Sequence, residues 1–106
     1  MVKRGEVWLA TLDPTIGSEI RKTRPCLIVS PPEIHDHLRT VIVAPMTSAS
    51  RPAGFRVAIS FAGTDGLVLA EQVRALDKRR LVKRLGEVPP AVLSGVLAVL
   101  REAFED

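Results

Sequence analysis

Strand-length apolar runs, each stopped by proline, glycine or aspartate, fill most of this 106-residue chain, and a single sustained helical stripe follows them. Runs of about four to eight residues bounded by turn chemistry are strands rather than helices. Glu6–Leu12 ends at the turn pair Asp13-Pro14. Arg24–Ser30 contains Leu27-Ile28-Val29, predicted to be buried on both faces, and Pro31-Pro32 stops it. Leu38–Met46 is rich in valine and isoleucine, and Pro45 within it marks a strand end, edge or bulge. Phe55–Phe61 alternates, with Phe55, Val57, Ile59 and Phe61 on one side and Arg56, Ala58 and Ser60 on the other. Thr64-Asp65-Gly66 has the composition of a turn, and Leu67–Val73 of a further strand. Asp77 is placed to cap a short helix through Leu85, with Gly86 to end it. After Pro89-Pro90, Leu93, Val96, Leu97, Leu100 and Phe104 form the helical stripe. The expected architecture is one domain over residues 1–106, mainly β with helical additions. Its short strands imply a small, strongly bent sheet or barrel closed by the C-terminal helix.

At 46% hydrophobic, the chain can fill one core. Its apolar runs fall short of the roughly 18 residues a membrane span requires, and Glu6 interrupts any leader-like core after Lys3 and Arg4. The one cysteine, Cys26, lies in an apolar run and reads as an inert strand residue. A cytoplasmic protein with no membrane association is therefore expected. Residues 1–86 hold 14 Lys/Arg against 8 Asp/Glu, whereas residues 87–106 hold one against four. A basic body with an acidic end suits a polyanionic partner, although a solvated surface has the same composition.

No glycine-rich phosphate loop and no zinc spacing occurs. Glu33 with His35-Asp36-His37 is the one grouping with metal-ligand chemistry, but alternate residues of an extended loop diverge, so no metal or other cofactor is expected. A solvated loop is the plainer reading there. A stronger constellation joins three separated pieces: Glu19 with Arg24, Thr47-Ser48 after an apolar strand, and Glu71-Gln72-Val73-Arg74. A guanidinium grips a phosphate through paired N–H···O bonds, and a hydroxyl can donate to another phosphate oxygen. Turn residues and surface ion pairs would look the same by composition alone.

Seven segments change that balance. Arg4-Gly5-Glu6-Val7-Trp8, Asp13-Pro14-Thr15, Gly17-Ser18-Glu19, Arg24-Pro25, Val43 to Thr47 with Ser48, Glu71-Gln72-x-Arg74-x-x-Asp77 and Leu85-Gly86-Glu87-Val88 resemble the MazF/PemK/Kid family of bacterial toxin endoribonucleases in order and spacing. The resemblance implies an SH3-like barrel of the CcdB/MazF type, working as a homodimer. It implies metal-free, sequence-specific cleavage of single-stranded RNA. It also implies a cognate antitoxin with an acidic, partly disordered tail. Catalytic roles carry over to Arg24 and Thr47, with Glu19 and Glu71 as supporting or acid–base candidates. Ser18, Arg21, Lys22, Ser48, Arg51, Phe55, Arg56, Gln72 and Arg74 are the candidate RNA contacts. Phe55 is the candidate stacking residue, while Trp8 and Phe104 read as core.

Two departures stand out. Arg21 and Lys22 stand where many relatives carry glycines, and Leu69 stands where the Kid/PemK branch has a catalytic arginine. The second departure resembles the MazF-like branch, in which arginine and threonine carry the chemistry. The competing readings are a non-enzymatic, CcdB-like toxin that binds a protein such as gyrase, and a degenerate relative that binds only RNA or antitoxin.

Overall fold

The computed structural model describes residues 1–14, 16, 17, 19 and 22–106. Among these, seven strands form β1 (Glu6–Thr11), β2 (Thr23–Ile28), β3 (Thr40–Thr47), β4 (Arg56–Phe61), β5 (Thr64–Leu69), β6 (Arg74–Asp77) and β7 (Leu81–Glu87). Short α1 (Pro32–His35) precedes β3, and α2 (Pro90–Ala103) follows β7. The strands pair antiparallel in the order β4-β5-β3-β2-β1-β7, with β6 on the same edge of β3 as β5. The sheet curls into a half-barrel. Its two end strands approach where the Phe61 ring faces Gly86, so tightly that a side-chain carbon on Gly86 would meet that ring at 3.2 Å.

Alternation along the strands loads both faces. Val7, Leu27, Ala44, Met46, Ile59 and Val68 pack beneath α2, against Val92, Leu93, Val96, Leu97 and Leu100. Ala10, Cys26, Ile28, Val41, Val43 and Leu76 fill the opposite face with Trp8 and Leu81. Cys26 through Val29 are all buried, as a strand covered on both sides requires. Pro45, inside β3, sits where one edge of that strand passes from β6 (Thr40–Val43) to β5 (Met46-Thr47). A residue without an N–H is tolerated at such a gap.

Four expectations are corrected. Asp77 does cap, its carboxylate accepting from the Arg79 N–H, but only a 3₁₀ turn over Lys78–Arg80 follows; Leu81–Glu87 extends instead because it pairs along β1. Thr64-Asp65-Gly66 is strand, and the reversal falls at Ala62-Gly63, with Phe61 paired to Thr64. Phe104, at the end of the helical stripe, is 80% exposed rather than core. His35 is buried in α1 rather than solvated, its Nδ1 2.8 Å from Ser30 Oγ. No helix among the described residues is long and apolar enough to cross a membrane.

Ala62 and Gly63 both have positive φ (52° and 79°), the arrangement of a type I′ two-residue hairpin. Alanine in the left-handed region costs about 1–2 kcal/mol, which asparagine partly avoids. Ala62→Asn should therefore raise stability by about 0.5–1 kcal/mol, measured as a higher urea midpoint. A lowered midpoint would contradict the turn assignment.

Candidate active site

Register brings the first two candidate residues together. β2 and β3 pair Cys26 with Pro45 and Leu27 with Ala44, so continuing that register sets Arg24 across from Thr47. Residues directly opposite in a sheet project from one face. That face is the one carrying Cys26, Ile28, Val41 and Val43, so the arginine and the threonine stand where an apolar strip runs out at the strand ends.

Both side chains line a cavity of about 330 Å³, whose wall also includes Ser48, Phe61, Asp65, Gly66, Leu67 and Leu85. Thr47 is buried at 9% exposure, and its Oγ1 accepts from the Ala49 N–H at 3.1 Å. That bond uses an acceptor position, so the hydroxyl hydrogen remains to donate into the cavity. Arg24 is half-buried. A half-buried arginine and a hydroxyl lining one cavity are the parts of a receptor for a tetrahedral oxyanion.

Gly66 keeps this geometry possible. A side-chain carbon there would lie 2.8 Å from the Thr47 carbonyl oxygen and 3.7 Å from Ser48 Cα. Those neighbours are backbone, so the strand itself would have to move. Gly66→Ala should displace Thr47 and Ser48 and cost about 1–3 kcal/mol in stability. Its activity loss should exceed what the unfolded fraction explains, measured by cleavage assays well below the melting temperature. Full activity in a folded Gly66→Ala protein would refute this role.

The remaining candidates fall elsewhere. Glu71 Oε2 accepts from Arg56 Nη2 at 2.7 Å and from Arg56 Nε at 3.1 Å, while Arg56 Nη1 donates to the Arg51 carbonyl at 2.9 Å. The exposed Phe55 ring centroid lies 5.7 Å from the Arg56 guanidinium carbon. Arg51, Phe55, Arg56 and Glu71 thus form a separate cluster that ties the 48–55 loop to the 3₁₀ turn at Ala70–Gln72, and none of them lines the cavity. Gln72 ends that turn, and Arg74 opens β6 opposite Val43. Burial pushes the nearby Cys26 thiol up to about 12, against an opposing pull from Arg74, so the cysteine is unreactive at neutral pH.

Glu19 is exposed, and its Oε1 accepts from the Ile16 N–H at 2.7 Å, closing a tight turn in the β1–β2 loop. Lys22 holds the base of that loop. Its φ is 66°, its N–H donates to Asp13 Oδ1 at 3.1 Å, and its carbonyl accepts from Leu12 at 2.9 Å. Arg80 braces the other side through the Thr11 and Asp13 carbonyls. Ser18 and Arg21 lie outside the described residues. Leu69 is core, 1% exposed. Sequence reasoning missed Phe61, Asp65 and Gly66 as site residues. The Asp-Gly pair was the available signal, and its turn composition disguised it.

Comparison with known proteins supplies the context for this geometry. Residues 3–104 match the family described as PemK-like, MazF-like toxin of type II toxin–antitoxin system. Endoribonuclease PemK of Escherichia coli is 43% identical over 105 residues, covering 93% of this chain and 79% of the relative. The crystal structure of MazF from Deinococcus radiodurans superposes with a TM-score of 0.86 at 30% identity, covering 96% of this chain and 94% of the other. An endoribonuclease from a mycobacterial species, solved in complex with its cognate antitoxin, superposes with a TM-score of 0.81 at 28% identity, covering 97% and 94%.

Proposed function

This chain belongs to the PemK-like, MazF-like toxin family of type II toxin–antitoxin systems, and from that premise we propose that it is a toxin endoribonuclease whose active centre is the Arg24–Thr47 cavity. It cuts single-stranded RNA at short sequences without a metal ion. The carrying observation is the pairing of guanidinium and oriented hydroxyl on one cavity wall. The 2′-hydroxyl beside the scissile phosphate attacks phosphorus, the 5′-oxygen departs, and the products end in a 2′,3′-cyclic phosphate and a 5′-hydroxyl. DNA lacks that nucleophile and is spared. Arg24 stabilises charge growing on the phosphoryl oxygens, and Thr47 donates to one of them.

Ser48 and Lys22 contact the strand near the cut, and Ser18 and Arg21 are further RNA contacts of this proposal. Arg51, Phe55, Arg56, Gln72 and Arg74 guide the flanking nucleotides. Glu19 and Glu71 act as supports: one closes its loop turn and the other holds Arg56. A sequence pI of about 9.6 favours the polyanion. The protein works in the cytoplasm as a homodimer and is restrained by a cognate antitoxin with an acidic, partly disordered tail, consistent with the antitoxin complex of the mycobacterial relative.

The test is incubation with a long single-stranded RNA in EDTA, followed by mapping of the new 5′ ends. Cuts at one short recurring sequence are expected. Binding without cuts would indicate a degenerate relative, and neither binding nor cuts would indicate a protein target.

A further inference from the structure

Cleavage by a 2′-hydroxyl needs a group that accepts its proton, and the Arg24–Thr47 pair does not provide one. A guanidinium does not give up its proton in proteins, and a threonine hydroxyl is a poor base. Glu19 and Glu71 lie off the cavity wall, one closing a turn at Ile16 and the other in an ion pair with Arg56. Among the described residues, the wall carries one carboxylate, Asp65, and one cation, Arg24.

Strand register places that carboxylate. β5 pairs Leu67 with Thr47, and Asp65, two residues away along β5, projects from the same face. Thr47 and Asp65 are therefore diagonal neighbours, and such pairs lie roughly 7–8 Å apart, close enough for two side chains to reach one bound group. Extending the β2–β3 register by two residues puts Arg24 in line with Thr47 and Leu67, with Asp65 one step beside that row. The Asp65 side chain is exposed and makes no hydrogen bond or ion pair to another described residue.

We propose that Asp65 is the general base of the reaction; this rests on the endoribonuclease reading given above. The O2′–H bond breaks with its proton passing to the Asp65 carboxylate. The O2′ electron pair forms the new bond to phosphorus as the P–O5′ bond breaks. The departing 5′-oxygen takes a proton from water, and Asp65 returns its own to solvent. Ser60 stands opposite Asp65 on β4, and Thr47 on β3, Arg24 on β2 and Leu85 on β7 share the cavity wall with it. Of these only Arg24 is a charged residue.

The experiment is single-turnover cleavage across pH for wild type, Asp65→Asn, Asp65→Glu, Glu19→Gln and Arg24→Ala. Affinity is measured separately on an uncleavable RNA carrying a 2′-deoxy sugar at the cut. Asp65→Asn should lower the rate by about 10²–10⁴-fold and remove the acid limb of the profile, leaving affinity and melting temperature unchanged. Asp65→Glu should recover part of the rate with the limb restored. If wild type cleaves and Arg24→Ala does not, an Asp65→Asn enzyme with wild-type rate and acid limb overturns the Asp65 assignment alone. Loss of the limb in Glu19→Gln instead would transfer the role to Glu19. A wild-type protein that cuts no RNA would overturn the endoribonuclease reading and this role together.

Discussion

Arg24→Ala should lower RNA cleavage by about 10²–10³-fold or more, the scale on which a single oxyanion donor acts. The magnitude follows from position. Arg24 is half-buried and lines one cavity with Thr47, so its charge would act on a bound phosphate where water screens it less than at an open surface. Arg24→Lys should rescue poorly, because an ammonium carries the charge without the planar pair of donors. Both variants are compared with wild type under single-turnover conditions, with melting temperature as a control for folding. A folded Arg24→Ala protein that cleaves at the wild-type rate would remove this residue from the mechanism.

The second large effect concerns stability. Glu6 is 4% exposed and accepts three separate donors: the Lys3 N–H at 2.8 Å, Trp8 Nε1–H at 3.1 Å and Arg84 Nε–H at 2.6 Å. One carboxylate thus joins the N-terminal approach, β1 and the end strand β7. Glu6→Ala would leave the Lys3 and Trp8 donors without their acceptor. Arg84 is 45% exposed and keeps its 2.9 Å bond to Glu87, so it would lose less. The expected cost is about 2–3 kcal/mol, a large share of the roughly 5–15 kcal/mol that holds an ordinary domain folded.

Its pH dependence has a definite sign. Burial pushes the Glu6 carboxyl up, but the hydrogen bonds from Arg84, Trp8 and Lys3 and the charge of Arg84 outweigh it and hold the group below its ordinary 4.5. A carboxyl depressed in the folded state contributes stability that is complete above its unfolded value and disappears as pH falls through the folded one. Urea unfolding of wild type and Glu6→Ala should therefore show a gap that is constant near neutral pH and narrows below about 4.5. A gap that widens on acidification would contradict the network.

The legible parts of the fold were those written locally. Leu27-Ile28-Val29 reads as a doubly covered strand, Phe55–Phe61 alternates, and the stripe from Leu93 to Leu100 can only be a packed helix. Asp77–Leu85 misled because capping is local whereas strand pairing is not. Asp77 does cap, yet β1 would lack a partner on one side without Leu81–Glu87 extended beside it. The hairpin misled for a related reason. Thr64-Asp65-Gly66 has turn composition, while the actual reversal puts an alanine in a conformation alanine disfavours.

The same division runs through the site. Arg24 and Thr47 were named through the family resemblance, and the pairing of β2 with β3 is what brings them to one cavity across the 22 residues between them. 

Glu19 and Glu71 were named for their carboxylates, and what each carboxylate pairs with depends on contacts that sequence order does not encode. One partner is the Ile16 N–H and the other is Arg56. The proposed base Asp65 was not legible because its Asp-Gly pair has the composition of a loop tip, and it is the pairing of β5 with β3 that brings its strand beside Thr47.

On the proposed mechanism, the Arg24–Thr47 cavity cuts RNA through the neighbouring 2′-hydroxyl. The most direct measurement uses two oligonucleotides that contain a mapped cleavage sequence and differ by a single 2′-deoxy sugar at the scissile position. The all-ribose strand should be cut to a 2′,3′-cyclic phosphate and a 5′-hydroxyl, and the deoxy strand should bind and stay whole. Cleavage of both strands, or products carrying a 5′-phosphate, would contradict it.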